Sequence, residues 1–469
     1  GPFLSILGFA VLPLVWSVPE ALIAAELATA FPENSGYVAW VTAAFGPFWG
    51  FQEGLWSWLS GVSDNAIYPV LFLYYLGDMA ESFKQGVYHE ITLWASLVVL
   101  TYYNYRGLKI VGTAAVVLTV FTLAPFVVFC TVGLFKGLHT DHWGDVNWET
   151  VDWPKYANCL FWNINYWDSA STLAGEVQNP KRNFPNGVFL AVFLVFLSYI
   201  LPLLVALGLD ANQNNWAEGY LETLTRTKIG HWLAWWMVCA SAVSNIGQFE
   251  AEMSSDSFQL QGMAERGMLP AALSKKSKYG TPLIPILLSA TAVALQMKFS
   301  NSLPELMELL NFMYCLAQLL EFAAFIHLRM YAKDLDRPFK IPLNTLGCVL
   351  MLAPPTAFIF AIMWMASPYT WLFAGMTVLC GPLLYYMLEQ ARTHQWCKFF
   401  DLDFQVFPAN RSSENTSELE NPLLPSDAST VDMNEEDHDI VVVDRDASPA
   451  TGSYTHLTSA EPIVQKPSL

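Results

Sequence analysis

Charge is scarce in this 469-residue sequence. Asp, Glu, Lys and Arg together make up 14% of it, against about 25% in an ordinary soluble domain. That shortage excludes a soluble globular protein of this length. Basic residues are the scarcer sign, 23 against 41 acidic, so there is no basic face for nucleic acid. Cysteine is sparse. The seven present (130, 159, 239, 315, 348, 380, 397) lie in or beside apolar runs, and an odd number so placed argues against a disulfide framework. Cys397 follows the last run and reads as a free packing thiol, with palmitoylation the alternative. Only eight histidines occur. Two fall in "GLHTDHWGD" (137–145), without metal-ligand spacing, and no nucleophile stands beside a base. No metal, cofactor or enzymatic activity is therefore expected. The chain opens on "GPFLSILGF", with no initiator Met and no signal-peptide layout.

What is abundant is apolar length, at 54% hydrophobic and 14% aromatic residues. Runs of nearly 20 residues recur, each able to cross about 30 Å of hydrocarbon. Eleven spans are expected: 2–25, 44–78 (long and bent), 90–105, 110–135, 156–174, 185–207, 231–252, 281–299, 305–330, 345–366 and 369–388. Helices alone satisfy their backbones in such runs, so the fold class is all-α polytopic membrane protein. Placing the C-terminus in the cytoplasm puts 14 Lys/Arg on the inner loops 105–109, 175–184, 253–280, 329–342 and 389–400, and six outside, as the positive-inside rule requires. Gly1 then falls outside, and a twelfth span is expected upstream. Residues 1–390 form the transmembrane domain. Residues 391–469 form an acidic cytoplasmic tail, disordered by composition; 401–469 alone carry 14 Asp/Glu against three Lys/Arg. The tail's "YTHL" (454–457) and "ENPLLP" (420–425) fit sorting signals read by adaptors. Asn410 and Asn415 match glycosylation acceptors that a cytoplasmic tail leaves unused. The plasma membrane is the expected location, an endomembrane the alternative.

A carboxylate at mid-membrane costs about 2.5–3.5 kcal/mol on insertion scales. This chain has several: Asp64, Asp168, Glu250, Glu252, Asp256 and Glu321, with no Lys or Arg in the interior of any span. Such a set points to a cationic ligand, a proton, or both. The alternative is that each acid is protonated or bonded to nearby Asn, Ser or backbone. The fifth span, "CLFWNINYWDSASTLAGEVQNPKRNFP" from Cys159, is expected to be broken. Asn163, Asn165 and Asp168 are poor helix formers whose side chains compete for backbone groups, and transporters expose backbone at a central site in this way. Trp162, Tyr166 and Trp167 offer aromatic faces to ammonium groups, or simply pack between helices. Glu176 reads as an inner-gate or structural ion-pair residue.

"EVQNPKRNFP" resembles the motif after the sixth helix of the amino acid–polyamine–organocation (APC) superfamily. "FPENSGYVAWV" resembles that superfamily's Pro-x-x-Gly-Gly-x-Tyr turn, with Ser35 in place of the first Gly. "RPFKIPL" (337–343) resembles a third signature. "GPFWGFQEGLWSWLSGVSDNAIYPVLFL", "LFWNINYWDSASTLAGEVQNP" and "AEMSSDSFQLQGMAERGMLP" are similar to plant-type polyamine uptake transporters. The resemblance covers residues 1 to about 390. It implies a LeuT-type fold of two inverted five-helix repeats plus two helices, with 11 of 12 helices present and the family's first helix missing. By position it implies an aromatic gate at Trp162, an acidic residue near the substrate at Asp168, and substrate-facing positions at Asn65 (with Asp64 beside it) and Glu252. It places Tyr314 near a region that closes the pocket. The expected function is secondary active, proton-coupled uptake of putrescine- or spermidine-type polyamines. Asp168, Glu252 or Asp64 carries the proton, and Glu176, Asp256 and Glu321 serve coupling or gating. The alternatives are an amino acid carrier or exchanger, and a non-transporting sensor or scaffold.

Overall fold

The computed structural model describes residues 1–401, apart from 213, 214, 217, 218 and 300–302. Thirteen helices are described, in chain order: α1 Pro2–Ala30, α2 Tyr37–Phe45, α3 Pro47–Met79, α4 Val87–Arg106, α5 Leu108–Phe135, α6 Trp153–Ile164, α7 Pro180–Leu209, α8 Tyr220–Lys228, α9 His231–Glu265, α10 Leu283–Phe299, α11 Leu303–Tyr331, α12 Thr345–Met365 and α13 Pro368–Thr393. Every expected span falls on one or two of them. The short α8 was not anticipated from the apolar pattern, because its sequence, "YLETLTRTK", is polar. The all-α architecture and the multi-pass character are thus both present.

Among the described residues, six helices are long and apolar enough to cross a membrane: α1, the Val111–Phe135 part of α5, α7, α11, α12 and α13. The long helices α3 and α9 fall short of that criterion because of polar residues, and those residues point inward. Ser57, Ser60, Asp64 and Asn65 of α3 and Ser254, Asp256, Ser257 and Gln259 of α9 are all buried. Val116, Val120, Phe193, Trp364 and Leu379 are exposed, as lipid-facing side chains should be. The interior holds Trp16, Trp40, Phe161, Phe312, Tyr314 and Phe325 in one packed cluster.

Local breaks follow from local chemistry. Pro13 cannot donate an N–H, and α1 adopts a π-helical stretch over Pro13–Ser17 before resuming at Val18. The bent span expected over 44–78 is resolved by Gly46, whose φ of +89° separates α2 from α3. Within α3, Pro69 deprives the Asn65 carbonyl of its helical donor. The turn after α1 is wedged into the bundle: a Cβ on Gly262 would lie 2.5 Å from Ser35 N. Ser35, at the position where the resemblance expects glycine, accepts a hydrogen bond from Arg266 Nε at 3.0 Å.

Two cationic residues do not stay in their loop. Arg329 and Arg337, expected on the inner segment 329–342, fold into the bundle onto Glu26 of α1. The Arg329–Glu26 and Arg337–Glu26 contacts are 2.5 and 3.1 Å, with both arginine side chains 5% exposed and Glu26 fully buried. Glu26 also accepts the Ile341 N–H at 2.8 Å. "RPFKIPL" is the strand of chain held by this clamp. All seven cysteines are free. The tail motifs at 420–425 and 454–457, and Asn410 and Asn415, lie outside the described residues.

Candidate transport site

The expected break in the fifth span is present. α6 ends at Ile164, and a 3-10 segment, Ser169–Glu176, follows. Between them Tyr166 has a φ of +67°, a left-handed conformation in which a non-glycine residue needs outside support. That support comes from side chains of α1 and α11 and from the neighbouring Trp167 indole. The Ile164 carbonyl accepts from Ser17 Oγ at 2.9 Å and from Trp167 Nε1 at 2.7 Å. The Tyr166 N–H donates to the Tyr314 hydroxyl at 3.0 Å. The N–H groups of Trp167 and Asp168 donate to Glu20 Oε1 at 2.6 and 3.3 Å. Backbone freed in a membrane interior needs such partners, and here α1 and α11 supply them.

Asp168 is 1% exposed. Its Oδ1 accepts from the Tyr314 hydroxyl at 2.6 Å, and the same hydroxyl lies 2.6 Å from Glu20 Oε1. Two further buried carboxyls, Glu321 of α11 and Glu53 of α3, lie within electrostatic reach of Asp168. The rings of Tyr166 and Tyr314 lie 4.4 Å apart.

A second acidic group sits along α3. Asp64 accepts from Tyr68 at 2.5 Å and from Trp162 Nε1 at 2.6 Å. Gly61 lets α9 approach: a Cβ there would overlap Asp256 Oδ1 and stand 2.7 Å from Glu252 Oε1. Glu252 is within electrostatic reach of Asp256 and Asp64. Asn65 is fully buried with neither amide atom hydrogen-bonded. Tyr166 stands between the two groups, its hydroxyl 2.7 Å from Ser60 of α3 and its backbone on Tyr314. Gly61→Ala is expected to force Asp256 and Glu252 aside, at about 1–3 kcal/mol of overpacking. Transport should fall severalfold with the protein still folded, as checked by uptake rate against surface abundance.

The structure therefore brings Asp168, Tyr166, Trp167, Tyr314 and Glu321 together, and gathers Asp64, Trp162, Glu252 and Asp256 beside them. Glu176 stands apart at the end of the 3-10 segment, paired with Lys276 Nζ at 2.7 Å and Asn34 Nδ2 at 3.0 Å. Partial burial pushes its carboxyl up, but the bonds to Lys276 and Asn34 outweigh this and hold it below the usual carboxylate range. The contact is thus complete at neutral pH and is lost only as pH falls through that lowered value. Glu250 also lies off the site. It accepts from Asn104 of α4 and borders an apolar cavity of about 180 Å³ lined by Tyr103, Val111, Leu118 and Ile246.

Sequence reading missed Glu20 and Glu53, 2% and 0% exposed. The signal was present: each is a carboxylate in an apolar run, the same rule that singled out Asp168.

The amino acid permease family profile matches residues 1–381. A "probable polyamine transporter" of Arabidopsis thaliana is 49% identical over 404 residues, covering 85% of this chain and 83% of the relative. Polyamine transporter PUT1 of Oryza sativa subsp. japonica is 47% identical over 400 residues, 85% of this chain and 75% of its own length. Polyamine transporter RMV1 of Arabidopsis thaliana is 48% identical over 402 residues, 85% and 81% respectively.

Proposed function

Given that this chain belongs to the amino acid permease family and is a multi-pass membrane transporter, we propose that it takes up polyamines by a proton-coupled mechanism. The observation that carries the reading is the pair of buried acidic groups flanking Tyr166. One contains Asp168, the other Asp64, Glu252 and Asp256. A polyamine is an apolar chain with separated ammonium groups, and it needs two anionic points with apolar and aromatic surface between them. Asp168 would hold one ammonium against the faces of Tyr166 and Tyr314. The second group, under the Trp162 indole, would hold the other, with Asn65 offering a free carbonyl oxygen.

The backbone at the break favours this cargo over a zwitterionic amino acid. An α-carboxylate would need free amide donors at the unwound segment. The N–H groups of Tyr166, Trp167 and Asp168 are already taken by Tyr314 and Glu20. Proton coupling follows from crowding. Carboxyl groups this close in a low dielectric do not all stay charged without a cation or a proton among them. An outside proton and a substrate would thus be loaded together, biasing the carrier toward its inward-open state. We place the C-terminus in the cytoplasm and the carrier in the plasma membrane. The tail motifs are assigned to sorting adaptors.

The test is uptake of labelled spermidine at acidic and neutral outside pH. Uptake should be faster at acidic pH and competed by putrescine. Competition by excess leucine or arginine would instead indicate an amino acid carrier, and binding without flux a sensor.

A further inference from the structure

We propose that the crevice between α4, α5 and α9 is a second binding site, separate from the transport site, and that its ligand is an ammonium group carried on a small apolar body. The site stands on its own geometry and does not depend on which substrate is transported.

Glu250 is an acid short of donors. The residue is 7% exposed. Its Oε1 is buried and meets no hydrogen-bond donor. Its Oε2 has one contact, with Asn104 Nδ2 at 3.3 Å. That amide carries only two hydrogens, and two shorter contacts claim them. They are the Glu250 carbonyl at 2.9 Å and Ser254 Oγ at 3.0 Å. Ser254 directs its own proton to the Glu250 carbonyl at 2.8 Å, which leaves its oxygen free to accept. Among the described residues no Lys or Arg pairs with Glu250. Neither carboxyl oxygen therefore has a full donor, in surroundings where that is unfavourable.

Glu250 borders the apolar cavity of about 180 Å³, together with Tyr103 of α4, Val111 and Leu118 of α5, and Ile246 and Gly247 of α9. Gly247 keeps part of this wall open. It lies inside α9, where glycine weakens a helix. Gly61 and Gly262 sit where a side chain would collide with a neighbour. At Gly247 a Cβ would meet only Leu118 Cδ1, at 3.8 Å, beyond its own helix backbone. Close packing does not call for a glycine there, and its missing side chain leaves room.

The cavity opens toward lipid. Tyr103 and Ala114 at its edge are exposed, as are Val116 and Val120 further along α5. Two residues along a helix turn about 200°, so Glu250 points away from Glu252 and the transport site. Tyr103 is one turn from Arg106, where α4 ends, so a ligand enters near that end of the helix.

Size and charge together select the ligand. An apolar cavity of about 150 Å³ holds benzene, so this one takes a single ring or a short alkyl chain. A lipid tail would fill the apolar part and leave Glu250 Oε1 bare. A primary ammonium on such a body brings three donors and a positive charge to the carboxyl, with the Tyr103 ring beside it.

The test is equilibrium binding of labelled 2-phenylethylamine to the purified protein, with spermidine in excess to fill the transport site. Saturable binding should remain. Glu250→Gln should weaken it at least about tenfold, as removing one partner of a buried charge pair does. Gly247→Leu, which fills the cavity, should abolish it while the protein melts no lower than the unaltered one. Native-level binding by either variant would overturn the site, and for Glu250→Gln would mean a void suited to lipid tails. Complete displacement by spermidine would place the amine in the transport site and overturn the proposal too. Should Glu250→Gln fail to fold, neutral 2-phenylethanol reads the same charge. It should bind the unaltered protein at least about tenfold more weakly than the amine, and equal binding would refute the carboxyl's role. Failure of spermidine itself to bind would count against the polyamine reading alone, because Gly247→Leu and 2-phenylethanol still report on the crevice.

Discussion

Asp168→Asn should reduce spermidine uptake by about 10²-fold or more while leaving surface abundance at the native level. The substitution keeps the shape of the side chain and a carbonyl oxygen that can still accept from Tyr314, now 2.6 Å away. It also leaves the Glu20 contacts that hold the broken backbone. What it removes is the countercharge. Truncating one partner of a buried, hydrogen-bonded charge pair costs about 2–5 kcal/mol, and every 1.4 kcal/mol is about tenfold in affinity. Uptake kinetics alongside surface biotinylation separate this from misfolding. Native-level uptake by the variant would remove Asp168 from the site. Glu252→Gln gives the companion measurement. If two anionic points bind the two ends of the substrate, its effect should be larger on spermidine than on a monoamine.

Glu26→Gln should be the most damaging substitution for folding, at about 3–5 kcal/mol, the cost of breaking a buried ion pair from one side. Two guanidinium groups, each 5% exposed, would lose the carboxylate that holds them, and the Ile341 amide would lose its charged acceptor. Detergent-solubilised protein should then show a much lower melting temperature or fail to elute as a monodisperse peak. A second substitution checks the cause. Adding Arg329→Met to Glu26→Gln removes one stranded charge and should recover part of the loss, a coupling that a double-mutant cycle measures. If the double variant is simply the sum of the singles, the clamp is not the source of the effect.

Much of this architecture is legible in the sequence because apolar length and a membrane's demands allow few solutions. The eleven runs land on helices, and the break at Asn163, Asn165 and Asp168 appears where residues that compete for backbone groups cluster. The acidic groups are only half legible. Asp64 and Asp168 stand out as isolated charges deep in apolar text, and Glu252 and Asp256 as a cluster of acids at the end of the seventh run. Glu20, Glu26 and Glu53 lie closer to the ends of their runs, where depth in the membrane cannot be judged from hydropathy alone. What makes them interior is contact across the chain. Glu20 meets Trp167 and Tyr314, 147 and 294 residues away. Glu26 meets Arg329, 303 residues away. No local pattern encodes such pairs. Tyr166 is a similar case: its positive φ sits on a residue type that gives no warning of it, because the conformation is imposed by Glu20 and Tyr314 rather than preferred by the tyrosine.

The anchoring of the broken helix also sets a timetable for biogenesis. Glu20 leaves the ribosome before residues 165–168 do, so half of the anchor is waiting when they enter the bilayer. Tyr314, which takes the Tyr166 amide, follows 148 residues later. At translation speeds of about 5–20 residues per second, that is a delay of roughly 7–30 s. During that interval the Tyr166 amide lacks its native acceptor in a solvent that offers none. The nascent chain must therefore shelter the segment, in the insertion machinery or as a provisional unbroken helix, until the last third of the protein arrives to draw it into its final shape.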